Sequence, residues 1–260
     1  MNDMDVAGEV FSAMLDARVT LNREPVCSVA SAESVLYHVC QTSVLNSRGH
    51  TLQPVQFIPA LERASLIRLF DRHVVKQAIS SLRARPDSRL GVEVSAQSSV
   101  ADVVWEAIFQ LIEQTPDVAE RLVIEIPEAA WFDAHERVQR FTQSLKHAGC
   151  KIAIADFGIE TAIGVRSPDI IKIDASFTAA ARHGRVHVEH LAQLIRRAAK
   201  QAETVVVEGV DEPVDIMHVR ECGAQWAQGQ LVTALFSDGP KSASACSTSS
   251  ALAARTQIAS

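Results

Sequence analysis

Residues 152–158 of this 260-residue chain read IAIADFG, and residues 169–174 read DIIKID. Both are short runs rich in β-branched residues that end in ionisable side chains, a pattern typical of buried parallel strands. A site that binds divalent cations through paired acids would need two adjacent aspartates after the first run, but the chain has Ala155 and Asp156. The sequence therefore lacks one oxygen ligand at a place where such a site would need it.

Further apolar runs alternate along the chain with stretches that have the helical repeat of apolar residues. We expect strands at 18–21, 34–40, 90–94, 121–126, 151–155, 169–173, 204–207 and 225–227. Helical periodicity occurs at 58–83, 103–112, 138–145, 188–199 and 214–219, and Gly149 and Gly223 stand where two of these helices should end. This alternation predicts an α/β fold, either a (β/α) barrel or an open doubly wound sheet.

The two ends of the chain differ from this pattern. We expect residues 1–17 to form a helical segment before a barrel at 18–236, and the Ser/Ala-rich tail at 237–260 to be disordered. The N-terminus carries acids where a secretory signal needs bases, and no apolar segment is long enough to span a membrane. The sequence therefore predicts a cytoplasmic protein without a membrane partner.

Composition restricts the classes of partner and site. The formal net charge of −6 removes the general attraction to a phosphate backbone, so we do not expect nucleic acid as a partner. The chain has five cysteines and no Cys-x-x-Cys pair, which argues against a zinc ribbon or a redox pair and predicts free, mostly buried thiols.

Several ionisable or amide side chains lie at the carboxyl ends of predicted strands, where a parallel barrel carries its active face. Glu125 lies between Ile124 and Ile126, so alternation along the strand points it at the lumen of a barrel. It is either a metal ligand or the partner of Lys172 in a buried ion pair. The other residues at such positions are Glu93, Glu128, Asp156, Asp174, Glu208 and Gln228.

Six segments, in this order, carry a resemblance to a known family. They are PVQFIPALERASLI (54–67), LVIEIPE (122–128), ADFG (155–158), PDIIKIDASF (168–177), VVVEGVDEP (205–213) and AQGQ (227–230). Together they closely resemble the EAL domain of cyclic di-GMP phosphodiesterases across residues 18–236. The resemblance implies a single-domain α/β fold, a modified (β/α)8 barrel of the TIM type, whose active members use two Mg²⁺ or Mn²⁺ ions to open the cyclic dinucleotide to the linear form.

The resemblance also implies where this chain departs from the family's site. Glu24 takes the place of a glutamine, and counting forward by the usual interval places the signature metal-binding glutamate on His38. The arginine that clamps the ligand phosphate falls on Thr42, so both a metal contact and an anion contact are expected to be lost.

Other family positions are partly retained. The metal-binding asparagine aligns with Glu93 and the first of two aspartates with Ala155, whereas Glu125 and Asp156 match metal-binding acids. The retained catalytic positions are Lys172, Glu208 and Gln228, and the weaker ligand-binding matches are Glu128, Asp174 and Asp211. The segment between Asp156 and Lys172 is about four residues shorter than in the family, and residues 159–162 differ from the usual sequence, which puts the family's mode of dimerisation in doubt.

The altered site leaves two predictions for its electrostatics. His38, Glu93, Glu125 and Asp156 could together bind one softer metal ion such as Zn²⁺ or Mn²⁺. Alternatively, an imidazolium at His38 neutralises Glu93 while Lys172 neutralises Glu125, and no ion is needed.

The sequence therefore predicts a degenerate EAL domain that is not an enzyme and needs no cofactor. Its expected role is that of a regulator that contacts a protein partner in or beside cyclic di-GMP signalling. One alternative is a receptor that binds cyclic di-GMP without hydrolysis. Another is a cyclic di-GMP phosphodiesterase with an altered site for Mg²⁺ or Mn²⁺.

Overall fold

A computed structural model describes residues 2–31, 33–133, 135–159 and 168–237. The strands are β1 (Val19–Ser28), β2 (Val35–Leu45), β3 (Thr51–Leu52), β4 (Leu90–Glu93), β5 (Leu122–Pro127), β6 (Lys151–Phe157), β7 (Ile170–Ile173), β8 (Thr204–Val207) and β9 (Trp226–Ala227). Each strand predicted from the sequence corresponds to one of these, and only the short β3 was not predicted.

The helices lie mainly between the strands. They are α1 (Asp3–Leu15), α2 (Pro54–Arg63), α3 (Ile67–Ala84), α4 (Val103–Glu113), α5 (Pro116–Ala119), α6 (Ala130–Asp133), α7 (His135–His147), α8 (Ala175–Arg182), α9 (Val188–Ala198), α10 (Pro213–Glu221) and α11 (Gln230–Ser237). Among the helices in the described ranges, none combines the length and apolar composition needed to cross a bilayer.

The strands close into a barrel. Their order is β1-β9-β8-β7-β6-β5-β4-β2-β3, and an additional pairing of β1 with β2 joins the two sides of the sheet. The strand β1 is antiparallel to both of its neighbours, whereas the pairs from β2 with β4 through β8 with β9 are parallel. The result is a closed eight-stranded α/β barrel with one reversed strand, which confirms the modified barrel and excludes the open sheet.

Side chains alternate between the lumen and the helix layer along each strand. The apolar cluster that fills the lumen contains Val26, Tyr37, Val39, Val123, Ala153, Ile170 and Val206. Residues adjacent to these in sequence, such as Ile124, Ile152 and Ile171, belong instead to the clusters beneath the helices. The parallel strands β4 to β8 are therefore buried on both faces over most of their length, which explains why their sequences read as continuous apolar runs.

The helix predicted over 58–83 is wrong as a single element. The chain forms α2 and α3 with a break after Ala64, where Ser65 adopts a φ of 57° and its backbone N–H donates to Glu62. The apolar repeat continues across the break because both helices pack on one core cluster. Periodicity alone could not reveal the turn.

The caps and cysteines follow the sequence predictions where the structure describes them. Gly149 and Gly223 have φ angles of 99° and 79° after α7 and α10, the left-handed conformation expected at a helix end. Four of the cysteines, Cys27, Cys40, Cys150 and Cys222, are buried free thiols.

At the N-terminus, α1 forms within the predicted helical segment and places Val6 and Val10 in the core cluster beside α2. The division of the chain at residue 18 stays a prediction. The tail predicted to be disordered lies outside the described residues from 238 onward, as do residues 160–167 of the shortened segment.

Candidate functional site

The carboxyl ends of the parallel strands form one mouth of the barrel. Register pairs Glu93 of β4 with Glu125 of β5, and Lys172 of β7 lies beside Val206 of β8. Glu208 follows β8, and its backbone N–H donates to Ile173. These side chains occupy the same strand face as the lumen cluster, so strand alternation brings the predicted polar residues together at the mouth.

Lys172 is the centre of this group. Its Nζ lies 2.6 Å from Glu125 Oε2 and 2.7 Å from Glu208 Oε1. The other oxygen of Glu125, Oε1, accepts a hydrogen bond of 2.8 Å from Tyr37 Oη. Because Lys172 and Glu125 are each at least 97% buried as side chains, the ion pair predicted between them forms in the interior of the barrel.

The pKa values in this cluster follow from burial and charge. Burial by itself would lower the pKa of Lys172, but Glu125 and Glu208 outweigh it and raise that pKa well above its ordinary value. Burial raises the pKa of Tyr37 well above its usual range, and the negative charge of Glu125 adds to the effect. The cluster therefore holds a protonated lysine and a protonated tyrosine at neutral pH.

Glu93 lies on the rim of the same mouth. Solvent reaches its side chain, but the surrounding protein atoms desolvate the carboxyl and raise its pKa to about 7. Lys172 lowers that pKa, whereas Glu125, Asp156 and Glu208 raise it. Four carboxyl groups therefore share one lysine, which leaves an excess of negative charge.

Asp156 reaches the mouth through an irregularity in β6. The register with β7 shifts between Ile154 and Phe157, and Asp156 has a φ of 57°, a left-handed conformation that aspartate tolerates better than most residues. Burial and the nearby charge of Asp174 raise the pKa of Asp156, and Lys172 opposes them. Ala155 is buried beside it and contributes a methyl group where a carboxylate was expected.

The structure contradicts the placement of His38 in the mouth. Its neighbours along β2, Tyr37 and Val39, belong to the lumen cluster, so His38 points to the opposite face of the strand. Consistent with this, the pKa of His38 is lowered by burial and then by the charge of Arg23.

The error has an identifiable cause. The register between β1 and β2 pairs Val26 with Tyr37 but Cys27 with Val35, so one additional residue bulges from β2. With this bulge, Val39 and not His38 lies opposite Glu24 and faces the lumen.

The prediction of a metal ion bound by His38, Glu93, Glu125 and Asp156 is not supported. Within the described residues, no group of three or more His, Cys, Asp and Glu side chains is arranged to hold a metal ion. Val39 and Ala155 offer no oxygen, and both oxygens of Glu125 already bind Tyr37 and Lys172. The residues present therefore do not fit a pair of divalent cations.

Other predicted residues organise the wall of the mouth. Gln228 is buried and donates from Nε2 to Glu24 Oε2 at 2.9 Å, which links the end of β9 to β1. Glu128 is buried and its Oε2 accepts from the backbone N–H of Gly158 at 3.0 Å. This contact ties the end of β5 to the turn that follows β6.

The two aspartates beyond the strands serve as loop anchors. Asp174 caps α8 by accepting from the backbone N–H of Ser176, and Asp211 accepts from the backbone N–H of Gln230. Asp211 also lies 3.8 Å from Arg182. These contacts order the loops in which the two aspartates lie, and the ligand-binding role expected from the resemblance stays a prediction.

Sequence reasoning missed Tyr37 and Gly91. The ring of Tyr37 lies against Gly91, where an added Cβ would stand 2.5 Å from Tyr37 Cε2 and 2.6 Å from Glu125 Oε1. The glycine thus leaves room for the ring and for the carboxylate beneath the mouth. The single tyrosine of the chain, two residues before the inward Val39, was the available signal.

Comparison with known proteins places this chain in a family. The EAL domain family matches residues 9–234. The cyclic di-GMP phosphodiesterase NbdA of Pseudomonas aeruginosa is 27% identical over 246 residues, which cover 88% of this chain and 30% of that protein. The phosphodiesterase PdeL of Escherichia coli is 27% identical over 191 residues, covering 69% of this chain and 52% of that protein. This chain thus spans about a third to a half of the length of these relatives.

Solved structures agree with the family match. The S helix-GGDEF-EAL structure of Vibrio cholerae LapD superposes with a TM-score of 0.81 at 19% identity, covering 89% of this chain and 57% of that chain. The EAL domain of Pseudomonas aeruginosa FimX, bound to c-di-GMP, gives a TM-score of 0.73 at 24% identity, with 86% and 93% covered. At these identities the structures establish the fold, and the family match, which spans most of the chain, shows that this protein belongs to the EAL domain family.

Proposed function

We propose that this chain is a non-catalytic EAL domain that acts in or beside cyclic di-GMP signalling by contacting another protein. The observation that carries the proposal is the state of Glu125. One of its oxygens accepts from Tyr37 and the other binds Lys172, so the carboxylate is neutralised within the protein. A divalent cation at Glu125 would have to compete with this buried ion pair.

The charge of the mouth also opposes an anionic ligand. Glu93, Asp156 and Glu208 surround Lys172, whose ammonium group already contacts two carboxylates. Thr42, which stands at the position expected for the family's phosphate-clamping arginine, carries no positive charge. A cyclic dinucleotide brings two phosphates into this field, so its binding is electrostatically unfavourable.

A receptor for cyclic di-GMP is the second candidate function. The structures of FimX from Pseudomonas aeruginosa and Xanthomonas citri contain c-di-GMP bound to EAL domains of the same fold. The described barrel preserves that fold, which supports a nucleotide site without supporting hydrolysis.

The test combines turnover with binding. The purified chain is incubated with cyclic di-GMP and Mg²⁺ or Mn²⁺, and the linear product is measured by chromatography, with PdeL as the positive control. We expect no product above the protein-free background. Isothermal titration with the same nucleotide, with and without Mg²⁺, should show no saturable binding at micromolar concentrations.

Two results would change the assignment. Metal-dependent product that disappears in Glu125→Gln would show that the site is catalytic and would overturn the proposal. Saturable micromolar binding without product would instead identify the chain as a receptor.

A further inference from the structure

A cavity of about 290 Å³ opens at the rim of the mouth, between the strands and the helices that pack on them. The carboxyl-terminal part of β2 and the ends of β4 and β5 form one side, and the helices α2 and α3 form the other. Its walls are largely apolar, with Pro54, Ile58, Ile67, Val74 and Pro127 among the lining residues. The cavity therefore suits an aliphatic chain more than a hydrated ion.

The charged lining residues of this cavity are all acidic. Glu62 of α2 and Asp71 of α3 lie on the helix side of the cavity, and Glu93 of β4 lies on the strand side. No lysine, arginine or histidine occurs among the described residues that line it. The carboxylates of the neighbouring mouth add negative charge, since Lys172 is already bound by Glu125 and Glu208.

The three acidic residues of the cavity differ in burial and in their hydrogen bonds. Asp71 is buried, and its Oδ2 accepts from the backbone N–H of Ser95 at 2.9 Å and from Ser98 Oγ at 2.6 Å. It therefore fixes the loop after β4, which forms part of the wall. Glu62 is partly exposed and Glu93 is exposed, so their carboxylates remain accessible to an incoming group.

A long side chain with a terminal cation is complementary to these walls. Its methylene groups would contact the apolar residues while the charged head reaches the carboxylates. A guanidinium group is more weakly hydrated than an ammonium group and offers five donors in a planar fork, so it can contact carboxylates from two directions. Arginine is also enriched at the centres of protein interfaces.

We infer that this cavity is the docking pocket for an arginine side chain presented by a protein partner. The inference rests on the proposed function, because it names the chemistry by which a non-catalytic EAL domain would recognise that partner. Glu93 and Glu62 are the expected contacts of the guanidinium. Glu93 stands where the resemblance implies an asparagine. In this proposal its additional negative charge binds the guanidinium group.

The test uses defined peptides in place of the unidentified partner. The purified chain is titrated with acetyl-Leu-Arg-Leu-amide and with the same peptide containing citrulline, which has the same shape as arginine without its charge. We expect the arginine peptide to bind at least about tenfold more tightly, a difference of about 1.4 kcal/mol. Glu93→Gln should weaken binding of the arginine peptide about fivefold and leave the citrulline peptide unaffected.

Two further variants separate a specific pocket from general charge. Glu113→Gln removes the same charge from an exposed position at the end of α4, and it should leave both affinities unchanged. Ile58→Trp fills the cavity without altering its charge, and it should abolish binding of the arginine peptide. Thermal unfolding of each variant confirms that it is folded before titration.

The outcomes are distinct from those of the nucleotide assay. Equal affinity for the two peptides, or equal effects of Glu93→Gln and Glu113→Gln, would overturn the docking pocket and leave the non-catalytic assignment standing. Hydrolysis of cyclic di-GMP would overturn the proposed function, and the peptide titration, which contains no nucleotide, would still report on the pocket.

Discussion

Lys172 and Glu125 belong to strands that are separated in the barrel by β6, and their charged atoms lie 2.6 Å apart across the lumen. The same lysine lies 2.7 Å from Glu208, so one cation joins β5, β7 and the segment that follows β8. Because the pair is buried, it contributes to the packing of the barrel as well as to the electrostatics of the mouth.

Removing this cation should destabilise the protein. Lys172→Met leaves Glu125 as a buried carboxylate without its ionic partner, and we expect a loss of about 3–5 kcal/mol in the free energy of unfolding. Urea denaturation measures the change. Lys151→Met, at an exposed position on β6, should alter the free energy by less than about 0.5 kcal/mol. Equal stability of the two variants would contradict a structural role for the ion pair.

The tyrosine beneath the mouth should contribute through its hydroxyl group. Tyr37→Phe keeps the ring against Gly91 but removes the hydrogen bond to Glu125, and we expect a loss of about 1–3 kcal/mol. A double-mutant cycle with Glu125→Leu, which removes the accepting oxygen, measures the coupling between the two side chains. Additive effects would show that the hydrogen bond does not contribute to stability.

Gly91 should not tolerate a side chain. An added Cβ would stand 2.5 Å from the ring of Tyr37, so Gly91→Ala should cost about 1–3 kcal/mol through overpacking. Gly8→Ala is the control, because no atom lies within 4 Å of its added Cβ on α1 and alanine favours a helix. The control should be neutral or slightly stabilising in the same denaturation experiment.

The orientation of β2 can be tested at two adjacent positions. Val39→Glu would bury a carboxylate in the lumen near Glu125, and we expect it to prevent stable folding or to cost more than about 3 kcal/mol. His38→Glu places the same group on the opposite, partly exposed face and should cost much less. Circular dichroism during thermal unfolding compares them, and the reverse order of stability would show that the strand register is different.

Glu93 should make stability depend on pH. Its pKa is raised to about 7 in the folded protein, so between its ordinary value of 4.5 and about 7 the folded state binds more protons than the unfolded state. Stability contributed by this group is therefore present below pH 4.5 and is lost as the pH rises through 7.

The variant Glu93→Gln isolates this effect. It should match the parent protein near pH 4.5 and exceed its stability at pH 8, by about 1 kcal/mol after allowance for solvent screening at an exposed side chain. Urea denaturation at the two pH values measures the difference. A pH-independent difference between the proteins would contradict the raised pKa.

Part of the site could be predicted because strand alternation is a local property. The residues Glu125, Lys172 and Glu208 each follow or interrupt an apolar run, and this pattern placed all of them at the mouth before any contact was known. The pairing of Glu125 with Lys172 remained one of two alternatives, since the sequence does not say which carboxylates a lysine reaches. The structure selected it through the distance between their charged atoms.

The sequence by itself determined the alternation of strands and helices, because apolar periodicity records which faces must be buried. That alternation allowed a barrel or an open sheet, and the pairing of β1 with β2 decided for the barrel. Tertiary structure alone decided that Val39 and not His38 faces the lumen, because a one-residue bulge in β2 changes the face of every residue after it. It also decided that the Tyr37 hydroxyl donates to Glu125 and that a turn after Ala64 divides the predicted helix into α2 and α3. These features depend on contacts between distant segments and on one local backbone turn, neither of which the apolar pattern encodes.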